Sequence, residues 1–435
     1  MNIRRTILIG TLVRVILMPF TAHPFDMYSW YNYCSSILEH GFNPNALLTS
    51  VRPLWDLLLA GTAYVYGFLS ATSGLRAFPI SELPSSMNPQ WGIQYIPGAL
   101  FNTLVKTPLV LSDIATALLL YKMISEMYEH KLAEKATLLY YLNPAVIWIS
   151  AVWGQYEAIP TLLTVLSIYF LAREKFVFSS LSLLAATLFK VYPAALLIPI
   201  TTYLFKRKSR GILLRYLAVF LVPVSSVIAV SGDYVSRFVL EFFSTETFHG
   251  IFGFGLNYWS ISMLYPLNSD VFTIISIGLT VALLSFSIYN FYKADFSESL
   301  RDLMLSAVLI AASLFLSIRF PTEQRIVWLM PFLAWAVSKG YLSGKLFWTL
   351  SAIAFLYMQK NFPYYLLPVA IFNERIFAPL FSLTETLKAV ANGVIMPTAT
   401  TAAMLSFLGV SFSLLMLVVY WKSSHILKLN RPWIK

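Results

Sequence analysis

Asp26 is the residue with the clearest potential for chemistry in this sequence. It stands in the segment His23-Pro24-Phe25-Asp26, six residues after the first apolar run and directly before a stretch rich in aromatic residues. A carboxylate at the edge of a membrane can take the proton from an attacking hydroxyl group, as a general base does. Cationic side chains nearby can hold the charge of a departing phosphate. The transfer of a sugar from a lipid-linked phosphate to a hydroxyl group needs both.

Further polar candidates fall in turns between apolar runs. A charged residue in or beside a membrane span costs several kcal/mol unless it lines a wet cavity or finds a partner. We therefore expect these turns to converge on one external face and to line a common site with Asp26. The candidates are His23, Gln155, Tyr156, Glu157, Lys190, Tyr192, His249, Arg319, Glu323, Gln324 and Arg325.

Several of these residues also have a purely structural interpretation. Glu157 and Lys190 could form an ion pair between neighbouring turns. Asp26 could cap a helix that runs from Met27 to His40, since Asp is a common residue at a helix start. Arg319 and Arg325 could extend to lipid headgroup phosphates, and His249 could be an isolated loop histidine.

The composition identifies the environment that must position these residues. Of the 435 residues, 58% are apolar and 12% are charged, whereas a soluble domain carries about 25% charged residues. The mean hydropathy is +0.70. A soluble chain cannot bury that much apolar surface, so the sequence predicts an all-α polytopic membrane protein embedded in a lipid bilayer. The net charge of +11 lies in short runs at the ends of apolar segments, which is typical of the positive-inside pattern rather than of nucleic-acid binding.

The apolar runs predict a single transmembrane domain over residues 1–435 with both termini in the cytoplasm. Residues 21–105 would form a long external loop in which Leu54 to Leu69 is a helix lying at the membrane interface. The alternative is that Val51 to Ser73 also crosses the membrane. About twelve spans follow, near residues 6–20, 109–121, 136–152, 158–172, 176–190, 192–205, 213–231, 271–291, 302–318, 326–338, 346–360 and 401–421.

The single cysteine, Cys34, excludes an intrachain disulfide and is too little for a thiolate metal site. We expect it to be a packing residue. The sequence has no Asn-x-Ser/Thr site and no C-terminal retention signal. Both features favour a prokaryotic plasma membrane over the endoplasmic reticulum.

The order of several short motifs resembles the GT-C glycosyltransferases, membrane enzymes that use polyprenyl-phosphate sugars. The likeness is greatest to the catalytic subunit of GPI mannosyltransferase I and its prokaryotic relatives, and it extends from Phe25 to about Phe332. The motifs that carry it are Asp26 followed by Gly41-Phe42-Asn43-Pro44, then Tyr95-Ile96-Pro97, Ser112-Asp113-Ile114 with Leu119-Leu120-Tyr121, Leu142-Asn143-Pro144, Trp153-Gly154-Gln155-Tyr156-Glu157, Lys190-Val191-Tyr192-Pro193, and Thr322 to Arg325.

The resemblance implies an inverting transfer of a sugar, most simply mannose, from a dolichyl- or polyprenyl-phosphate donor to a glycan or glycolipid acceptor. Asp26 would be the catalytic base. Lys190, Tyr192, Arg319 and Arg325 would contact the donor phosphate, and the other candidates would line the pocket. The family has Asp-x-Asp where this chain has Pro24-Phe25-Asp26, which weakens the case for a bound metal. We expect no cofactor, and a divalent metal stays open.

Two other functions fit the composition. A flippase or transporter of lipid-linked sugars would place its polar groups near the middle of the membrane and show internal repeats. A non-catalytic assembly subunit would lack a catalytic base, and Asp26 is present. The depth of Asp26, Glu157, Lys190 and Arg325 discriminates between an enzyme and a transporter.

Overall fold

The structure, a computed structural model, describes residues 2–73, 77–82, 92–231, 255–264, 269–318, 322–362, 364–372, 379, 382 and 397–429. Within these residues the chain is almost entirely helical, and the all-α prediction is confirmed. One short antiparallel pair joins Phe78–Pro79 to Tyr95–Ile96. The α-helices are α1 Ile3–Leu17, α2 Pro24–His40, α3 Asn45–Thr49, α4 Pro53–Ser73, α5 Ala99–Ser125, α6 His130–Tyr141, α7 Pro144–Ile147, α8 Ala158–Ala172, α9 Phe176–Phe189, α10 Leu197–Arg207, α11 Arg210–Ser231, α12 Ser269–Lys293, α13 Ser299–Ser317, α14 Ile326–Ser338, α15 Gly344–Met358, α16 Leu367–Phe372 and α17 Pro397–Leu429.

Five helices among the described residues are long and apolar enough to cross a membrane. A sixth candidate is the pair formed by α6 and the segment Pro144–Trp153, which meet at a bend of 49°. These lengths support a multi-pass membrane protein, and the prediction of about twelve spans is not confirmed within the described residues. The five are Pro53–Ser73, Ala99–Ser125, Ile274–Lys293, Ser299–Ser317 and Ala402–Lys428.

The helix α4 is longer than its predicted counterpart. The charge pattern predicts an interfacial helix from Leu54 to Leu69, whereas the observed helix has 21 residues and the composition of a span. The added residues, Pro53 and Ser70 to Ser73, give the helix a length that could cross the membrane, so the alternative in which this segment is a span stays open.

Large apolar side chains cover the outside of the bundle. On α1, Leu8, Leu12 and Ile16 recur at a spacing of four residues, and each is more than half exposed. Phe407, with 72% of its surface exposed, and Trp421 occupy the same kind of position on α17. A soluble protein would turn these faces inward, so their exposure is what a lipid environment requires.

The centre of the bundle is formed by α13 and α14. Every residue from Leu300 to Ser317 and from Ile326 to Ser338 is buried. Helices that are apolar on all sides are enclosed by others. Here α14 packs against α6 and α8, and α13 packs against α12 and α17.

A second core joins the helices of the long first loop to α5. Trp30 of α2 meets Trp55 of α4 edge to face, with ring centroids 5.0 Å apart. The Sγ–H group of Cys34 donates to the carbonyl of Leu59 at 3.4 Å, so Cys34 is a packing residue, as predicted. These contacts pack α2 and α4 firmly against each other, next to residues 18–23, which precede α2.

The charged turns of the bundle fall at two ends. At one end, ion pairs link Arg173 to Glu126 and Lys208 to Glu174, and Lys339 lies over the ring of Tyr128. These residues flank the turns that the charge pattern assigns to one side. The turns that carry Asp26 and the other candidate residues meet at the opposite end.

Candidate active site

Asp26 lies in the first turn of α2. The helix begins at Pro24, and the residue that caps it is His23, whose Nδ1 accepts the backbone N–H of Asp26 at 3.2 Å. Proline suits the first helical position because it has no N–H to leave unpaired. The hypothesis that Asp26 caps this helix is therefore wrong, and its carboxylate is free to point elsewhere.

Two neutral donors hold the carboxylate of Asp26. The indole Nε1–H of Trp153 donates to Oδ2 at 2.6 Å, and the amide of Gln155 donates to the same oxygen at 2.8 Å. The other oxygen, Oδ1, has no hydrogen-bond partner within the part of the chain that the structure describes. The side chain is 23% exposed. Asp26 is thus anchored through one oxygen and can accept a proton at the other.

His23 is neutral at this site. Its Nδ1 accepts a backbone N–H, which leaves the proton of the neutral ring on Nε2. Burial lowers the pKa of the His23 imidazole below its ordinary value of 6.5, because an imidazolium is poorly solvated in a buried site. The ring stacks on Trp153 with centroids 4.5 Å apart and planes within 11°.

The turn after Trp153 has a conformation that only glycine adopts easily. Gly154 has φ +90°, and a Cβ atom there would lie 2.9 Å from Cε of Lys106 and from Sδ of Met27. The N–H groups of Gly154 and Gln155 both donate to the carbonyl of Ile149. This closes a π turn over Trp148–Trp153. The turn directs the side chains of Trp153 and Gln155 onto Asp26.

A second cluster surrounds Glu157, whose side chain is fully buried. Nζ of Lys190 lies 3.1 Å from its Oε1, and the hydroxyl of Tyr192 donates to its Oε2. Lys190 also lies 4.4 Å from the ring centroid of Tyr156. The structural interpretation of Glu157 and Lys190 as an ion pair is confirmed.

Arg325 stands at an apolar cleft beside this cluster. The guanidinium lies 5.8 Å from the ring centroid of Tyr192. Its buried Nε has no hydrogen-bond partner within the described parts of the chain. The cleft is narrow, with a cavity volume of about 10 Å³, close to the space that one water molecule needs. A cation beside apolar walls suits a ligand with an anionic head and a hydrocarbon tail. The lining residues are Tyr192, Ala311, Leu314, Phe315, Ile318, Arg325 and Trp328.

The turn before α14 contributes a further ion pair. Glu323 is buried and lies 3.0 Å from Nζ of Lys360, and both charges act on His23. Gln324 is buried in the same turn. Arg319 and His249 lie outside the described residues.

The segment Trp153 to Glu157 joins the two clusters. Gln155 binds Asp26, and two residues later Glu157 binds Lys190. Between them Tyr156 stacks on Trp55 at 4.4 Å. Arg52 interacts electrostatically with Tyr156 and with Asp26. One five-residue turn therefore fixes both groups.

The four charged residues whose depth distinguishes an enzyme from a transporter all lie at the ends of helices. Asp26 is in the first turn of α2, and Glu157 and Arg325 immediately precede α8 and α14. Lys190 immediately follows α9. None of these four residues is in the middle of a helix.

A charged pair in the interior of the bundle is distinct from this site. Arg14 donates from Nε to Oδ2 of Asp113 at 3.1 Å, and both side chains are fully buried. Tyr140 and Ser150 also donate to this carboxylate, at 2.9 and 2.6 Å. Asp113 is saturated by partners and joins α1 to α5 and the π turn.

Sequence reasoning missed four residues that shape the site. Trp153 was recognised within a motif but not as a donor to Asp26, and Arg52 and Lys360 were not considered. Lys106 gave the clearest signal, because it stands inside the long apolar helix α5, where a charge needs buried partners. Among the described residues, no three His, Cys, Asp or Glu side chains are grouped as metal ligands.

No protein-family model matches the chain, and no curated protein matches it. The resemblance to the GT-C glycosyltransferases therefore stays a prediction from the order and spacing of the short motifs.

Proposed function

We propose that the protein is an integral membrane glycosyltransferase. It moves a sugar, which we propose to be mannose, from a dolichyl- or polyprenyl-phosphate donor to a lipid-linked or protein-linked glycan on the external face. The observation that carries this proposal is the geometry of Asp26. Its carboxylate is held through Oδ2 by Trp153 and Gln155, and its partial exposure leaves Oδ1 open to an acceptor.

In the proposed reaction Asp26 is the general base. The acceptor hydroxyl gives its proton to Oδ1 as its oxygen bonds to the anomeric carbon. The bond from that carbon to the phosphate oxygen breaks, and the polyprenyl phosphate leaves with the electron pair. This single displacement inverts the anomeric carbon. The protonated Asp26 then returns its proton to water.

Arg325 is the best supported contact for the donor phosphate. It combines a guanidinium with an adjoining apolar cleft, and arginine suits the planar recognition of phosphate. Lys190 and Tyr192 are bound to Glu157. We therefore assign them mainly to holding the Glu157 turn in place, and less to direct contact with the donor phosphate. The proposal retains Arg319 and His249 as donor and acceptor contacts.

The proposed topology has about twelve spans, with both termini in the cytoplasm of a prokaryotic plasma membrane. It is supported by the segregation of the ion pairs around Glu126, Glu174 and Lys208 to one end. Cysteines introduced at Ser209 and His40, both exposed, should react with a membrane-impermeant maleimide from opposite sides. Labelling of both from the same side contradicts this topology.

The function is tested by the choice of donor. Purified protein in lipid nanodiscs should transfer mannose from a synthetic polyprenyl-phosphate mannose and release polyprenyl phosphate. Turnover of GDP-mannose with no polyprenyl phosphate present would contradict the proposal. Movement of the lipid-linked sugar across vesicles without a new glycosidic bond would instead favour the transporter.

A further inference from the structure

Lys106 is a buried cation whose described partners include no carboxylate. It lies in α5, and its side chain is fully enclosed. Nζ donates to the carbonyls of Met18, Ala151 and Val152 at 3.2, 2.9 and 3.0 Å. It also donates to the carbonyl of Thr21 and lies 3.4 Å from the hydroxyl of that residue. Five oxygens thus lie within hydrogen-bonding distance of one amino group, so each of the three N–H donors of an ammonium has an acceptor.

These oxygens belong to two chain segments that end at the same point. Met18 and Thr21 follow the last turn of α1, and Ala151 and Val152 are in the π turn before Trp153. The carbonyls at the end of a helix carry partial negative charge, and a cation placed there is stabilising. Lys106 therefore holds together the carboxyl ends of two helical segments.

Both segments continue directly into the candidate site. Thr21 is two residues before His23, the cap of α2, and Val152 precedes Trp153. The N–H of His23 donates to the carbonyl of Trp153 at 3.0 Å, which joins the segments just beyond Lys106. Cε of Lys106 also occupies the space below Gly154. Three of the residues that hold Lys106, namely Thr21, Ala151 and Val152, are one or two residues from His23 or Trp153.

We propose that Lys106 is a positioning residue for Asp26. Its ammonium sets the distance between the start of α2 and the Trp153–Gln155 turn. The side-chain N–H groups of Trp153 and Gln155 thereby bind Oδ2 of Asp26, and Oδ1 is left for the hydroxyl group of the sugar acceptor. This inference rests on the proposed function and deepens it, because Lys106 touches neither the reacting atoms nor Asp26 itself.

The test is a mutant cycle on transfer from polyprenyl-phosphate mannose. Lys106→Met keeps the length of the side chain and removes its charge. A base displaced by about 1 Å can cost about 10²-fold in rate. We therefore expect Lys106→Met to lower kcat about 10²-fold and to leave the KM for the donor unchanged, because Arg325 is on the other cluster. In a Trp153→Phe, Gln155→Ala background, Lys106→Met should lower kcat little further.

Two kinetic results would contradict the positioning role of Lys106. If Lys106→Met lowers kcat by the same factor in both backgrounds, its effect does not pass through Trp153 and Gln155, and the proposal fails. An effect on KM alone also overturns it. If Lys106→Met does not fold, Lys106→Gln, which keeps two donors without the charge, enters the same cycle with the same criteria. Lys122→Met is the matched control, because Lys122 is an exposed lysine in the same helix α5, and it should leave kcat unchanged.

A second measurement separates this inference from the proposed function. Amide hydrogen exchange over residues 151–156 should be faster in Lys106→Met than in the parent or in Lys122→Met. If the parent transfers no sugar, the proposed function fails while this exchange still reports on the turn. Unchanged exchange in that peptide overturns the positioning role of Lys106.

Discussion

The two ends of the helix bundle use charge in opposite ways. At one end, Glu174 is 65% exposed and pairs with Lys208, and Arg173, 49% exposed, pairs with Glu126. At the other end, Glu157 is fully buried against Lys190, and Asp26 is held by an indole and an amide. Exposed pairs contribute about 0–1 kcal/mol and tolerate movement, whereas buried polar groups require defined partners.

This difference indicates which end of the bundle holds its charged residues in a fixed geometry, as a functional site requires. Solvated charges at the first end need no fixed geometry, and they can serve orientation in the membrane. At the second end the charged side chains are removed from water and held in place by defined partners. One carboxylate oxygen of Asp26, Oδ1, is left without a hydrogen-bond partner among the described residues. The contrast also separates the two acids of the second end, because Glu157 has a cationic partner and Asp26 has neutral donors.

The largest effect is expected for Asp26→Asn. Asparagine keeps the size of the side chain, and its carbonyl oxygen can still accept from Trp153 and Gln155, so the protein should remain folded. It cannot accept a proton, and the rate of single-turnover transfer should fall by about 10²-fold or more. Glu39→Gln, on the exposed part of the same helix, is the control and should transfer at the parent rate. A parent rate for Asp26→Asn would show that Asp26 is not the base.

Glu157→Gln should act mainly on stability. Glutamine removes the charge that pairs with Lys190, and breaking a buried ion pair costs about 3–5 kcal/mol. The midpoint of unfolding in detergent should fall clearly. Glu126→Gln is the matched substitution at the opposite end and should change the free energy of unfolding by at most about 1 kcal/mol. Equal effects of the two substitutions would contradict the contrast between the ends.

His23 should make stability depend on pH. Because burial lowers its pKa below the ordinary 6.5, the unfolded chain binds more protons than the folded one as the pH falls below that value. Stability is then unaffected above about pH 6.5 and decreases below it. Thermal unfolding measured from about pH 8 to about pH 5 should show this decline.

Two variants identify the source of that decline. His23→Asn keeps a residue that caps helices well and removes the titrating ring, so its decline should be shallower. His40→Asn, in an exposed position, should follow the parent. An unchanged slope in His23→Asn would assign the effect to other groups.

The smallest effect is expected for Lys208→Ala. Its partner Glu174 is largely exposed, and such a pair contributes about 1 kcal/mol or less. Transfer activity and unfolding midpoint should both stay near the parent values. A strong loss of activity would mean that the first end also takes part in function.

The positions of several helices could be predicted closely from the sequence. The predicted runs 158–172 and 326–338 coincide with α8 and α14, because charged residues flank a segment without charges in each. The predicted helix from Met27 to His40 is also present, although it begins at Pro24. Periodicity and flanking charge decide such boundaries locally.

The partners within the site could not be predicted in the same way. Asp26 and Trp153 are 127 residues apart in the chain, and no local pattern specifies their contact. The cap provided by His23 was missed because Asp, Ser, Thr and Asn are the usual capping residues. The position of Lys106 inside an apolar helix indicates that it needs buried partners, but these are backbone carbonyls, which any sequence supplies, so the sequence cannot identify them.

The buried thiol of Cys34 makes the native chain a ready background for chemical labelling. Burial raises the pKa of this thiol to about 12, and maleimides react with the thiolate. Cys34 should therefore not react with maleimides while the native protein is folded. Each cysteine introduced at an exposed position then reports its own accessibility, with no need to replace Cys34 and disturb the packing of α2 against α4.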